Sequence, residues 1–275
     1  MSYKDILVFL DDSTSNTDRM NAAFHLAEKH TANLTGVSLA SLKPRHAKIN
    51  DEQAIERIAE KLALQLVEEF TQAADQVGLV VNTIIIYGNA DTSAVKMAHY
   101  ARNYDIVLLH QPDPSRDSYL RLQEFAQQVL LLSGRPVLFM PYIGANKIPF
   151  KNIMIAWDGT PAASRAVHDA IPVLANAKDV VILVVESKKQ KQNKSEVLVM
   201  GLERHLSNHN VNARIKRIEP GINNVPTVIL NQIADNDIDL LVMGGYGTPT
   251  IKQKIFGGVS RLLLSSMIVP VLMSH

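Results

Sequence analysis

One stretch of this chain occurs twice. Lys4-Asp5-Ile6-Leu7-Val8-Phe9-Leu10-Asp11-Asp12 returns as Lys151-Asn152-Ile153-Met154-Ile155-Ala156-Trp157-Asp158-Gly159. Self-similarity at such a distance constrains the fold more than any single motif, because it demands two copies of one architecture. The echo continues. Gly88, followed by Val95, Ala98, Ala101 and an apolar run from Asp105, is matched by Gly221, then Val228, Ile233 and an apolar run from Asp239. Arg135-Pro136-Val137-Leu138-Phe139-Met140 is answered by Val269-Pro270-Val271-Leu272-Met273. The separation falls from 147 residues between Lys4 and Lys151 to 133 between Gly88 and Gly221, so the first copy is the longer one between its first and third strands. The polar segment 43–52 and the helix after it are expected to hold the difference.

Within each copy, short β-branched runs alternate with longer helical stretches. Strands are expected near 4–10, 33–40, 80–86, 105–110 and 136–140, and again near 151–157, 180–186, 211–218, 239–243 and 269–273. Their continuous hydrophobicity suits strands buried on both faces. Ile55, Ile58, Leu62, Leu66 and Phe70 recur at three- and four-residue spacing, which predicts a long amphipathic helix over 51–77. Thr160-Pro161 reads as N-cap and first helical residue, and Pro172 is expected to end or kink that helix. The fold class is therefore α/β, with two tandem doubly wound five-stranded parallel-sheet domains, 1–143 and 150–275. The short linker 142–150 implies one compact pseudo-twofold particle. Ligands of such sheets sit outside the carboxyl ends of the strands, where strand order reverses. Asp158 and Gly244 both lie at such ends.

Residues 244–260, GGYGTPTIKQKIFGGVS, follow the strand at 239–243 and open a helix. A helix N-terminus offers unpaired N–H groups and partial positive charge, and glycines let backbone approach a phosphate. The other reading is a flexible loop without a ligand. Asp158 suits hydrogen bonds from ribose hydroxyls or adenine N6, or else caps its own loop. Val184 reads first as core, and Lys252 and Lys254 as either phosphate partners or solvated charges.

These residues resemble the universal stress protein family in its tandem form, over nearly the whole chain. Members that bind ATP carry G-x2-G-x9-G followed by Ser or Thr, and Gly244, Gly247 and Gly257 match that spacing. Gly258 departs from it, standing where the pattern has a hydroxyl, with Ser260 one helical step on. The resemblance implies a Rossmann-like, adenine nucleotide alpha hydrolase-like fold and a nucleotide site in the second copy. That site comprises Asp158, Gly159, Val184, Met243, Gly244, Gly247, Gly257, Gly258, Val259 and Ser260. It further implies ATP, with or without Mg²⁺, and a role in stress response through nucleotide-dependent conformation or partner binding. At most slow ATPase activity is expected. Fifth-strand edges mediate pairing in the family, so Val137–Met140 and Val269–Met273 are expected to pair within the chain, and a further homodimer is expected. The alternative is a nucleotide-independent scaffold with a vestigial glycine loop.

The first copy should differ. His110 falls opposite Gly244, Asp113 opposite Gly247 and Gln123 opposite Gly257, and the intervening prolines and acids oppose phosphate binding. No nucleotide is expected there. Asp11 and Asp12, adjacent at a strand end, should point apart rather than pair on Mg²⁺. A net charge of +1 gives no general attraction to nucleic acid or membrane surfaces. Cysteine is absent, which removes thiolate chemistry and disulfides. Neither a secretory leader nor an apolar run of spanning length is evident, so a cytoplasmic protein without membrane partners is expected. No P-loop, G-x-S-x-G elbow or S-G-G-x-D-S loop appears, which weakens kinase, hydrolase, adenylyl-transfer and pyrophosphatase readings. His205 and His209 share a helix face but lack further ligands, and with His25 and His30 they are expected at the surface. The run 188–194 is expected to form a loop beside the nucleotide.

Overall fold

A computed structural model describes residues 2–41, 52–88, 90–115, 119–143, 148–186, 194–245 and 258–275. Two compact units divide the chain, Ser2–Ile143 and Gly144–His275. The first runs β1 (Asp5–Phe9), α1 (Asn16–His30), β2 (Asn33–Leu39), α2 (Glu52–Gln76), β3 (Val81–Ile86), α3 (Ala90–Ala101), β4 (Ile106–His110), α4 (Tyr119–Ser133) and β5 (Val137–Met140). Its strands lie in the order β3-β2-β1-β4-β5, and the ladders from β3 through to β5 are parallel.

The second unit repeats the plan. It comprises β6 (Asn152–Ala156), α5 (Pro161–Leu174), β7 (Asp179–Val185), α6 (Lys194–Asn208), β8 (Ala213–Ile218), α7 (Val225–Asp235), β9 (Leu240–Gly244), α8 (Gly258–Ser266) and β10 (Val271–Ser274). Its order is β8-β7-β6-β9-β10, again parallel. Strand order reverses between β1 and β4 in one unit and between β6 and β9 in the other, which places each crevice at the carboxyl ends of those pairs.

The central strands carry the core: Ile6 through Leu10, Ile106 through Leu108 and Ile153 through Ile155 are fully buried. α2 spans 25 residues and α6 only 15, so helix length holds much of the extra sequence of the first copy. The most buried line of α2 is Ala59, Ala63, Leu66, Phe70 and Ala74, with Ile55, Ile58 and Leu62 half-buried beside it. Small residues on that line let the helix lie close to the sheet. α5 continues two residues past Pro172 to Leu174. A proline so near the C-terminus forfeits a single backbone bond and is followed by the helix end.

Two aspartates at matching positions fasten each unit. Asp105 accepts at one oxygen from the amides of Lys4 (2.6 Å) and Asp5 (3.1 Å), just before β1 and at its start. Asp239 does the same for Lys151 and Asn152, both at 2.9 Å. Each ties the entrance of a first strand to the entrance of its fourth.

His30 corrects an expectation. It closes α1 in a buried position, edge-on to Tyr3 at 5.0 Å between ring centres, rather than at the surface. Burial, with the charges of Lys29, His25 and Lys4, holds its imidazole below the ordinary histidine range.

Candidate functional site

In the second unit, the chain leaves β6 through Trp157 and turns at Asp158-Gly159-Thr160 into α5. Gly159 has φ +74°, a left-handed conformation that side chains disfavour. Asp158 Oδ1 accepts from the Thr160 amide (3.0 Å) and from Thr160 Oγ1 (2.7 Å). The same Oγ1 accepts from the Ala163 amide (3.2 Å), so Thr160 caps α5 and fixes the carboxylate together. Asp158 is exposed, and its Oδ2 accepts no hydrogen bond among the described residues.

β9 brings Met243 and Gly244 alongside. Met243 is buried and sits in register with Ala156 of β6 and Met273 of β10. A Cβ on Gly244 would lie 2.5 Å from the Ala163 amide nitrogen and 2.7 Å from the Ala162 carbonyl carbon. The missing side chain therefore lets the first turn of α5 close against the strand. Val184 is buried on β7. α8 begins at Gly258, where an added Cβ meets nothing within 4 Å, and continues through exposed Val259 and buried Ser260. Gly247 and Gly257, with Lys252 and Lys254, lie outside the described residues, as do most of the loop expected at 188–194 and Arg116 and Asp117 of the first copy.

The first unit builds the same turn and then fills the crevice. Asp11, the counterpart of Asp158, accepts from the Ser13 amide (3.1 Å) and Oγ (2.6 Å). Here the carboxylate is buried, while adjacent Asp12 is half-exposed. Arg19, fully buried on α1, donates Nη2 to Asp11 Oδ1 and to Asn16 Oδ1, both at 2.7 Å, and Nε to the Phe9 carbonyl at 2.6 Å. His110 Nδ1 stands 3.1 Å from Asp11 Oδ2, and its ring stacks on Phe9 at 5.8 Å. Phe9 meets Phe125 of α4 in turn, at 5.1 Å. Strand register and helix burial pair Phe9, Arg19 and His110 with Ala156, Ala166 and Gly244 in the second unit. Three large side chains therefore stand where the other copy has three small ones. Room for His110 comes from a later helix start: six residues separate β1 from α1, against four between β6 and α5.

Burial pushes the Asp11 carboxyl up, but the charges of His110 and Arg19 and hydrogen bonds from Ser13 and Arg19 overcome it and hold it well below the usual carboxylate range. The unfolded chain thus binds the proton more readily than the folded one. Stability from this group is present in full above the unfolded carboxylate range and drains away as pH falls below it. Urea midpoints measured between about pH 6 and pH 3 should fall with acid, and the fall should be shallower in Asp11→Asn.

Sequence reasoning missed Arg19 and Asn16. The available signal was an arginine within the apolar stripe of α1, beside Met20, Ala23 and Ala27. His205 and His209 stack edge-on at 4.7 Å between ring centres, and burial with the nearby charges of His209 and His168 holds His205 below its ordinary range. Among the described residues, no group of three or more His, Asp or Glu side chains is placed to hold a metal ion.

Twin doubly wound parallel sheets, each with its first-strand carboxylate at the switch point, define a tandem Rossmann-like α/β protein. A family model described as the universal stress protein family matches residues 2–141 and again 149–275, and the chain belongs to that family. The crystal structure of a universal stress protein from Archaeoglobus fulgidus DSM 4304 superposes with a TM-score of 0.74 at 17% identity, over 98% of this chain and 97% of that one. A putative universal stress protein from Pseudomonas aeruginosa UCBPP-PA14 gives 0.60 at 13% identity, over 98% and 92%. The cytoplasmic domain of a prokaryotic cation chloride cotransporter gives 0.51 at 15% identity, over 98% and 95%. At these identities the likeness is one of fold. No match to a curated protein was found. Among the described residues, no helix is long and apolar enough to cross a membrane.

Proposed function

We propose that the second unit binds an adenine nucleotide, ATP foremost, in the crevice between the ends of β6 and β9, and that the first unit binds none. The contrast between two matching carboxylates carries this reading. Asp11 is consumed by Arg19 and His110, whereas Asp158 sits exposed in the same turn and, among the described residues, its Oδ2 accepts no hydrogen bond, which leaves it for ribose hydroxyls. The start of α8 supports it, since the amides of Gly258 and Val259 lack intrahelical acceptors and favour phosphate oxygens. Met243 and Val184 would floor the base, and Mg²⁺ would arrive with the nucleotide. The protein then acts in the stress response through conformation or partner choice, with the first unit as a ligand-independent half.

A nucleotide-independent scaffold is the opposing reading, favoured by Gly258 in place of a hydroxyl residue. Calorimetry of the full chain with ATP and AMP separates the two. Wild type is expected to bind, and Asp158→Ala to bind about 10–100-fold more weakly, the range set by losing hydrogen bonds to a charged group. Gly258→Ser adds a hydroxyl into open space and should tighten binding. No heat of binding from either wild type or Gly258→Ser leaves the scaffold reading standing.

A further inference from the structure

Each unit's sheet ends on its third strand, β3 in the first and β8 in the second. Ile86 of β3 gives its carbonyl to the Ala40 amide at 3.0 Å, so Ile86 faces inward. Successive strand residues direct their N–H and C=O groups to opposite sides, which turns Ile84 and Asn82 inward as well. Val81, Thr83 and Ile85 therefore present their backbone groups to the open edge. Such edges are normally defended by charge, proline or a bulge. β3 reads VNTIII and has none of these, and Val80 beside it is 96% exposed. The equivalent edge β8 reads ARIKRI and is defended by three cations.

We propose that β3 pairs antiparallel with β3 of a second copy of this chain, about a twofold axis at Thr83. That register sets Thr83 opposite Thr83 of the second copy and Val81 opposite its Ile85, so the outward amides and carbonyls of all three residues exchange hydrogen bonds. The facing side chains are uncharged and match themselves under twofold rotation, as an isologous contact requires. Paired threonines and aliphatic neighbours across strands are favourable. The same operation on β8 would set Arg214 opposite Lys216 of the second copy, and like charges directly opposite repel. Both of those cations are also engaged within their own unit, with Asp179 at 2.9 Å and Asn236 at 3.2 Å. The β3 edge is thus self-complementary where β8 is self-repelling. One short strand pair falls below the roughly 1,000 Å² of a stable interface, so this dimer is weak and concentration-dependent.

Sedimentation velocity of the full chain over a range of concentrations tests the proposal without nucleotide. Wild type should pass from monomer to dimer. Thr83→Lys places two ammonium groups opposite each other at an exposed position and should weaken association by about tenfold or more, with the melting curve unchanged. The chain has no cysteine, so single-cysteine variants report cleanly. Directly opposed hydrogen-bonded residues have Cα atoms about 5.5 Å apart, within disulfide reach. Thr83→Cys should therefore give a disulfide dimer on mild oxidation, and Ile215→Cys on β8 should not. Wild type that stays monomeric throughout overturns the proposal, as does a dimer that withstands Thr83→Lys with no cross-link through Thr83→Cys.

Discussion

Arg19→Met is expected to lower the free energy of unfolding by about 3–5 kcal/mol, the range for breaking a buried ion pair by removing one partner. The loss arises from what remains. Asp11 would keep its buried charge beside His110 Nδ1 at 3.1 Å, and the Phe9 carbonyl and Asn16 Oδ1 would each lose the donor that Arg19 supplies at 2.6–2.7 Å. Adding Asp11→Leu should recover much of the deficit, because an apolar pair of similar volume avoids desolvating either charge. Urea unfolding of the two single variants and the double, compared as a cycle, measures the coupling. Additive losses would mean that Arg19 acts by packing alone. Nucleotide binding by the second unit should persist in every folded variant.

Gly244→Ala is expected to cost about 1–3 kcal/mol, as overpacking does, and to abolish nucleotide binding. Its new Cβ would meet the backbone of Ala162 and Ala163 rather than a flexible side chain, so α5 itself must shift. The first turn of that helix carries Thr160, which holds Asp158 in place, so movement of the helix disorders the carboxylate. Thermal melts and calorimetry with ATP on the same preparation separate the two effects. At the matching position in the first unit, His110 fills its space, so His110→Ala should leave a cavity and destabilise by lost packing instead.

The central strands were legible because they are covered on both faces, which turns them into uninterrupted apolar runs such as residues 6–10 and 240–243. Register between the copies followed from those runs, and it located Asp158 and Gly244 at the reversal point. What sequence could not show was the fate of Asp11. An arginine on a helix reads as solvent-facing by default, and only the packed structure reveals that Arg19 points inward to meet a carboxylate eight residues earlier. His30 misled for a related reason: a polar residue at a helix end is usually wet, yet this one is enclosed by Tyr3 and Ser2. Gly244 was read for phosphate approach, and its geometry adds a second demand, the close seating of α5.

The paired aspartates at 105 and 239 bear on how each unit is assembled during synthesis. Asp105 holds the amides of Lys4 and Asp5, about a hundred residues upstream, and Asp239 holds those of Lys151 and Asn152 across a comparable stretch. A nascent chain cannot fasten its first strand until the residue that opens the fourth has left the ribosome. Until then that strand, apolar along most of its length, waits without its central neighbour. In each half, the latch is made only after three of the five strands.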